Sequence, residues 1–492
     1  MPKTFPRNSK PPVGGISLTA PEAQLPLTYA TALDNMTITG GRVASRRGYV
    51  VTDSLTGPLD TTGALASFEI NGSSTLIGAS GGEVRTVLPS NTLLESGFTS
   101  DAWRWTTQSG NLIGVNGTAY RRFDGATWQA APLLAGITAG NTNTFTGPFA
   151  GVISHNERVY LWPEDSTTFY YLEPAAVQGE VFQFPLGNLG NVRGKIVEIA
   201  TWTVNAAHGS NDVLVILTSK GDAVIYEGID PSDATDWRLM GRYKMPDVLP
   251  GGRSTVKRGA DLLVMTTEGT ISMTSVLRSG DEVAEGDGIS PTMPLEAEWA
   301  DYSTPLRTCT ELDGTGQVIV FNSVDETGAT RQVVYGQQQG APTTWSGLDA
   351  VAWASFSNGL YFMDSAGRVC QITGNSDEGK EIEISYQSGF SDPLGGQNVK
   401  VVAVQYKFRT VGTINVSTSI GSDWQENEIL TGPACFSPDV RGDGSKGQTI
   451  DAAMGVSGAG SVFQLRAQFT NGGESLEWMG TKFFMKSQAR RL

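Results

Sequence analysis

Two apolar runs separated by a short polar turn recur along this chain at intervals of a few tens of residues. The clearest copy is LYFMDSAGRVCQI at 360–372, where Leu360, Tyr361, Phe362 and Met363 lead into Asp364, Ser365, Ala366 and Gly367 before Val369, Cys370 and Ile372 resume the apolar pattern. That arrangement predicts a β-hairpin, because the centre offers the residues a tight reversal needs and the flanks read as strands. The same unit starts at Leu76 (LIGASGGEVRTV), Leu112 (LIGVNGTAYRRF), Arg158 (RVYLWPEDSTTFYYL), Leu214 (LVILTSKGDAVIY), Leu262 (LLVMTTEGTISM) and Val318 (VIVFNSVDETGATRQVVY). The seven starts are 36 to 56 residues apart. One hairpin buries too little apolar surface to stand alone, whereas sheets stacked around an axis share a continuous core. With no heptads and no paired helical patterns, the repeat predicts the blades of a β-propeller; a sandwich or a string of Greek-key units is the competing arrangement.

Outside the repeats the pattern changes. Residues 1–34 are rich in proline, carry Lys3, Arg7 and Lys10, and read as an extended N-terminal arm. The propeller-like domain is expected over 35–375. After the polar stretch GNSDEGK at 374–380, longer alternating segments such as VKVVAVQYKF, TINVSTSI and SVFQLRAQF predict a C-terminal β-rich module over 376–492 that completes or caps the propeller. The expected fold class is all-β.

Composition supports that reading and narrows the chemistry. Sixty glycines and 23 prolines supply the turns that many short strands require. Every apolar run is interrupted well short of the ~18 residues of a membrane-spanning helix, and the start of the chain lacks the apolar core of a signal peptide. Cys309, Cys370 and Cys435 are odd in number and widely spaced, and are expected to be buried free thiols. His155 and His208 are the only histidines, which removes most zinc, triad and general-base arrangements. No GxSxG, HExxH or GxxxxGK[ST] occurs, so no catalytic residue, cofactor or metal is assigned. Asp281, Glu282, Glu285 and Asp287 crowd a Gly-rich acidic stretch, but without the spacing of a calcium loop. The aromatic block of Tyr160, Trp162, Phe169, Tyr170 and Tyr171 has strand spacing and is expected to pack between sheets. Two carboxylates brought together by folding would leave no sequence signature, so a carbohydrate-binding or glycoside-cleaving propeller stands as the alternative function. Fifty acidic against 35 basic residues give a net charge of −15, which repels duplex DNA.

The segment Gly41, Arg42, Arg46, Arg47, Gly48, Tyr49, followed by hairpins carrying Gly78, Gly114, Gly221, Gly269 and Gly367, resembles the tail nozzle proteins (tail tubular B or DNA-stabilisation type) of short-tailed double-stranded DNA phages. The resemblance implies a structural virion protein of the tail, made in the host cytoplasm and assembled as a homo-oligomeric ring, a hexamer in that family. Such a ring continues the DNA channel, retains the packaged genome and gates its ejection. Its partners would be the tail adaptor and the tail fibre or spike proteins, with double-stranded DNA passing through without tight binding. On this reading Arg42, Arg46, Arg47, Tyr49, Lys482, Lys486, Arg490 and Arg491 are candidate subunit or adaptor contacts. Asp281, Glu282, Glu285 and Asp287 become a candidate acidic channel wall, and the Gly-rich stretch 130–149 a candidate gate or partner loop.

Overall fold

A computed structural model describes residues 4–17, 21, 25–59, 63–135, 137–138, 141–142, 149–190, 192–206, 209–249, 254–267, 269–279, 309–312, 318–324, 330–336, 341–392, 398–427, 429–438 and 449–487. Among these the fold is all-β, with one seven-residue helix, Met273–Ser279, and a single 3-10 turn at Leu186–Leu189. No described helix is long and apolar enough to cross a membrane.

Six of the seven predicted hairpins are the inner antiparallel pair of a sheet, and the fifth is the last pair of a three-stranded one. The first blade runs Ala64–Ile70, Ser73–Ser80, Glu83–Leu88, Thr92–Ser96, and the second Arg104–Gln108, Asn111–Val115, Tyr120–Phe123, Trp128–Ala130. The third is Gly151–His155, Arg158–Trp162, Thr168–Leu172, Gly179–Pro185, with Leu133–Ala135 added in parallel beside Gly179–Pro185, and the fourth Ile196–Ala206, Gly209–Thr218, Asp222–Glu227, Arg238–Lys244. The fifth is Thr255–Arg258, Asp261–Thr266, Gly269–Ser272, and the sixth Cys309–Leu312, Val318–Val324, Thr330–Gly336, Pro342–Trp345. The seventh takes Ala350–Phe356, Gly359–Asp364 and Arg368–Ile372 from late in the chain, and its outer strand, Tyr49–Ser54, from before the first blade.

Packing between sheets closes the circle. The first blade's Leu65, Leu76 and Val87 share a core with Val351, Tyr361 and Met363 of the seventh. The fourth and fifth meet through Trp202, Val213, Leu262 and Val264, and the sixth and seventh through Val320, Val334, Trp353 and Phe362. The first strands of successive blades touch one another in cyclic order, Ala350–Phe356 returning to Ala64–Ile70. This is a seven-bladed propeller, in which each sheet covers the apolar face its neighbour cannot cover alone. The expected packing role of the aromatic block holds: Tyr160, Trp162, Phe169 and Tyr171 form the boundary with Ile199, Leu214 and Trp237 of the fourth blade.

Turn chemistry sets the hairpin geometry. The turn between the first two strands of the third blade, Asn156 and Glu157, has φ of +45° and +62°, and that of the seventh, Ser357 and Asn358, has +47° and +60°. Two left-handed residues in a row match the twist of the strands they join. Gly367, in the Asp364 turn, sits at φ +82°, and a Cβ there would lie 2.6 Å from the Thr56 carbonyl oxygen. The position therefore excludes a side chain both by conformation and by space.

Both chain ends build a β-sandwich beside the propeller. One sheet is ordered Met36–Thr39, Arg42–Ser45, Glu477–Ser487, Val399–Arg409, Thr449–Gly460, with Thr4–Ser9 also pairing along Glu477–Ser487. The other runs Ala32–Asp34, Glu383–Gln387, Phe463–Thr470, Ile414–Ser422, Thr431–Phe436. Tyr406, Phe408, Phe469 and Trp478 fill the space between them, Trp478 meeting Tyr386 edge-on at 4.8 Å. The second sheet is continuous with the sixth blade, because Ala32–Asp34 pairs with Pro342–Trp345 through Asp34 and Thr344.

This topology moves the expected boundaries. Residues 4–9 pair with a strand and Phe5 packs on the core, so the N-terminal segment is laid on its own sandwich. Residues 36–45, expected in the propeller, belong to the sandwich, because Met36, Ile38 and Val43 alternate onto its core and are each at most 1% exposed.

Candidate functional site

The chain crosses from sandwich to propeller at 46–49 and returns at 372–380, and these two passages are bound side by side. Thr373 N–H donates to the Gly48 carbonyl, Gly48 N–H to Gly374, Tyr49 N–H to Ser376 and Glu378 N–H to Tyr49. A Cβ on Gly48 would stand 2.0 Å from the Ser376 carbonyl oxygen, so the close approach requires glycine.

Arg46 is the centre of this crossing. Its Nη1 and Nη2 donate to the two carboxylate oxygens of Asp377 at 2.9 and 2.6 Å. Nε donates to Asn35 Oδ1 at 2.8 Å, and the remaining Nη hydrogens reach the carbonyls of Arg47 and Ser346, each at 3.0 Å. All five guanidinium donors are thus used, on groups from the sandwich, the end of the sixth blade and the returning chain. The Arg46 side chain is 2% exposed. Its expected role in a subunit or adaptor contact is therefore corrected: a guanidinium whose donors are all taken inside its own chain has nothing to offer a partner.

The other candidates fall apart spatially. Tyr49 lies edge-on to Phe362 at 5.2 Å, with its hydroxyl 3.4 Å from Glu378. Burial, then the carboxylates of Glu378 and Asp377, push its pKa up. Arg42 and Arg47 are exposed, Arg42 standing 3.9 Å from Glu477. Lys482 and Lys486 lie on the outward face of the first sandwich sheet, Lys482 Nζ 5.4 Å from the Phe484 ring centre. Arg490, Arg491, Asp281, Glu282, Glu285, Asp287, nine of the residues 130–149 and the Cys309 side chain lie outside the described residues. Cys370 is buried as expected, and burial raises its pKa to about 12; Cys435 is exposed, on the edge strand Thr431–Phe436, which corrects the expectation of a buried thiol there.

Buried charges elsewhere are spent on holding blades together. Asp101, fully buried, accepts the N–H groups of Leu59, Gly81 and Gly82 at 2.8 to 2.9 Å. Arg104 of the second blade reaches Glu198 of the fourth at 2.9 Å, passing 5.6 Å from the Trp162 ring of the third. His155 sits between Thr201 Oγ1 at 3.2 Å and Asn156 Nδ2 at 3.1 Å. Desolvation lowers its pKa to about 4, outweighing the attraction of Asp212. An unfolded histidine titrates near 6.5, so the neutral ring favours the fold above that value and the advantage is lost as pH falls from about 6.5 to about 4. Denaturant titrations at pH 7 and pH 4 should show a loss of about 3 kcal/mol that is absent in His155→Gln.

Charge divides along the sequence in a way the chain-wide total conceals. Residues 49–372 hold 35 acidic and 18 basic residues, a balance of −17, while the rest hold 15 and 17, a balance of +2; together these give the −15 of the whole. Among the described residues no group of three or more His, Cys, Asp or Glu is placed to hold a metal ion.

No protein-family model matches the sequence, and no curated protein sequence does either. Among solved structures, the N-terminal domain of BBS1, crystallised with ARL6, matches with 9% identity and a TM-score of 0.40, over 68% of this chain and 99% of that one. The β-propeller domain of Cps50 (Swd1) from Myceliophteria thermophila matches with 13% identity and a TM-score of 0.39, over 66% and 98%. The exo-β-1,3-galactanase of Phanerochaete chrysosporium gives 11% and 0.30, over 89% and 100%. At these scores the propeller assignment rests on the sheets and cores of this chain.

Proposed function

We propose that this chain is a structural subunit of the tail nozzle of a short-tailed double-stranded DNA phage. Copies form a ring, six by the resemblance, that continues the DNA channel, holds the packaged genome and gates its release, with the tail adaptor and the fibre or spike proteins docked around it. The reading assigns the chain no reaction. The observation that carries it is the use of the Gly41–Tyr49 segment, the stretch on which the resemblance rests. Its arginine and glycine join propeller and sandwich into one body through a fully engaged guanidinium and a backbone approach with no room for a side chain. A part that transmits load while DNA passes needs such rigidity.

The acidic excess of the propeller, 23 acidic against 16 basic among its described residues, fits a wall that keeps DNA centred, since repulsion acts over about 8–10 Å at physiological salt and avoids the counterion release that would hold the strand in place. In a gel-shift assay at about 0.15 M salt the purified chain should leave duplex DNA unshifted. Salt-sensitive binding below micromolar concentration would contradict the proposal.

A further inference from the structure

The outward face of the sandwich sheet that carries Lys482 and Lys486 is basic, although the chain as a whole is strongly acidic. The register across Thr449–Gly460, Val399–Arg409, Glu477–Ser487 and Thr4–Ser9 decides which side chains share it. Lys400 lies between Ala459 and Lys486, Gln405 between Ala453 and Lys482, Lys407 between Asp451 and Gly480, and Arg409 between Thr449 and Glu477. Side chains one position along, among them Val404, Tyr406, Phe408, Phe483 and Met485, are buried in the core, which fixes the face as the solvent side. Five basic side chains therefore stand together with two carboxylates, Asp451 and Glu477.

Those carboxylates do not neutralise the face. Glu477 is engaged by Arg409 at 2.9 Å and by Arg42 at 3.9 Å, whereas Lys400, Lys407, Lys482 and Lys486 form no ion pair among the described residues. The edge strand Thr449–Gly460 presents Ala453, Gly455, Ser457 and Ala459 outward, so that half of the face is flat and a partner can approach its backbone. The four strands, of 12, 11, 11 and 6 residues, cover roughly 600 Å² in projection, close to the ~800 Å² per partner of a stable interface.

We infer that this face docks on the acidic propeller of a second copy of the chain, so that each subunit presents a basic sandwich to one neighbour and an acidic propeller to the other. Charge complementarity selects the occupant. Among the described residues the chain carries its own counter-charge, 23 acidic against 16 basic over 49–372 and 11 against 12 elsewhere, and two unlike surfaces on one subunit give a head-to-tail contact that closes into a ring when its rotation allows. The inference deepens the ring proposal and rests on it, naming the face that makes the contact.

The test compares the wild-type chain with a Lys400→Glu, Lys407→Glu, Lys482→Glu variant by sedimentation velocity across a salt series, with circular dichroism and thermal unfolding to show that both are folded. The wild type should assemble and weaken as salt rises, and the variant should assemble at least about 100-fold more weakly at low salt. An equally assembled variant would overturn the inference and leave the ring proposal standing. A wild-type chain that stays monomeric at every salt and concentration would overturn both. Duplex DNA shifted by the wild type and released by the variant would overturn the assignment of the occupant in favour of a phosphate backbone.

Discussion

Arg46→Ala is expected to cost roughly 3–5 kcal/mol, the penalty for leaving a buried ionic partner uncompensated. The truncation removes five donated hydrogen bonds at once and leaves the Asp377 carboxylate, whose side chain is 16% exposed, without its guanidinium partner. Arg46→Lys should recover little, since an ammonium cannot reach the two oxygens of Asp377 and the Asn35 amide oxygen in one plane. The loss is read from urea denaturation midpoints. A change below 1 kcal/mol would mean that the crossing is held by its backbone bonds alone.

Trp478→Ala is expected to cost a further comparable amount, roughly 3–5 kcal/mol for deletion of a buried indole. Trp478 is 2% exposed and contacts Tyr386, Tyr406, Phe408 and Phe469, so no neighbouring side chain can collapse into its place without leaving its own. Because one sheet runs from the sixth blade into the sandwich, the whole chain should still unfold in one transition at a lower midpoint. A sandwich that melted first, leaving the propeller intact, would show that the shared sheet does not couple them.

The propeller was legible because its information is local. Each hairpin carries its own turn residues, and seven copies at similar spacing reveal the repeat. Closure was not legible: Tyr49–Ser54 pairs with Arg368–Ile372 across more than 300 positions, and an alternating strand does not name its partner. The same distance hid the meaning of Arg46. Its residue type and the neighbouring Gly48 were visible, but its fate depended on Asp377, 331 positions away, inside a stretch that reads only as a polar boundary. The basic face was half legible. Lys407 and Arg409 alternate onto one side of their strand, while the register shift between Val401 and Ala403 that brings Lys400 onto the same side has no sequence mark.

The central claim, a closed ring of identical subunits, is tested most directly by native mass spectrometry of the purified full-length chain at moderate ionic strength. The expected result is a dominant species of six chains of 52.3 kDa each, with no continuous ladder of larger forms. A single 52.3 kDa species at every concentration, or open-ended growth without a closed assembly, would contradict it.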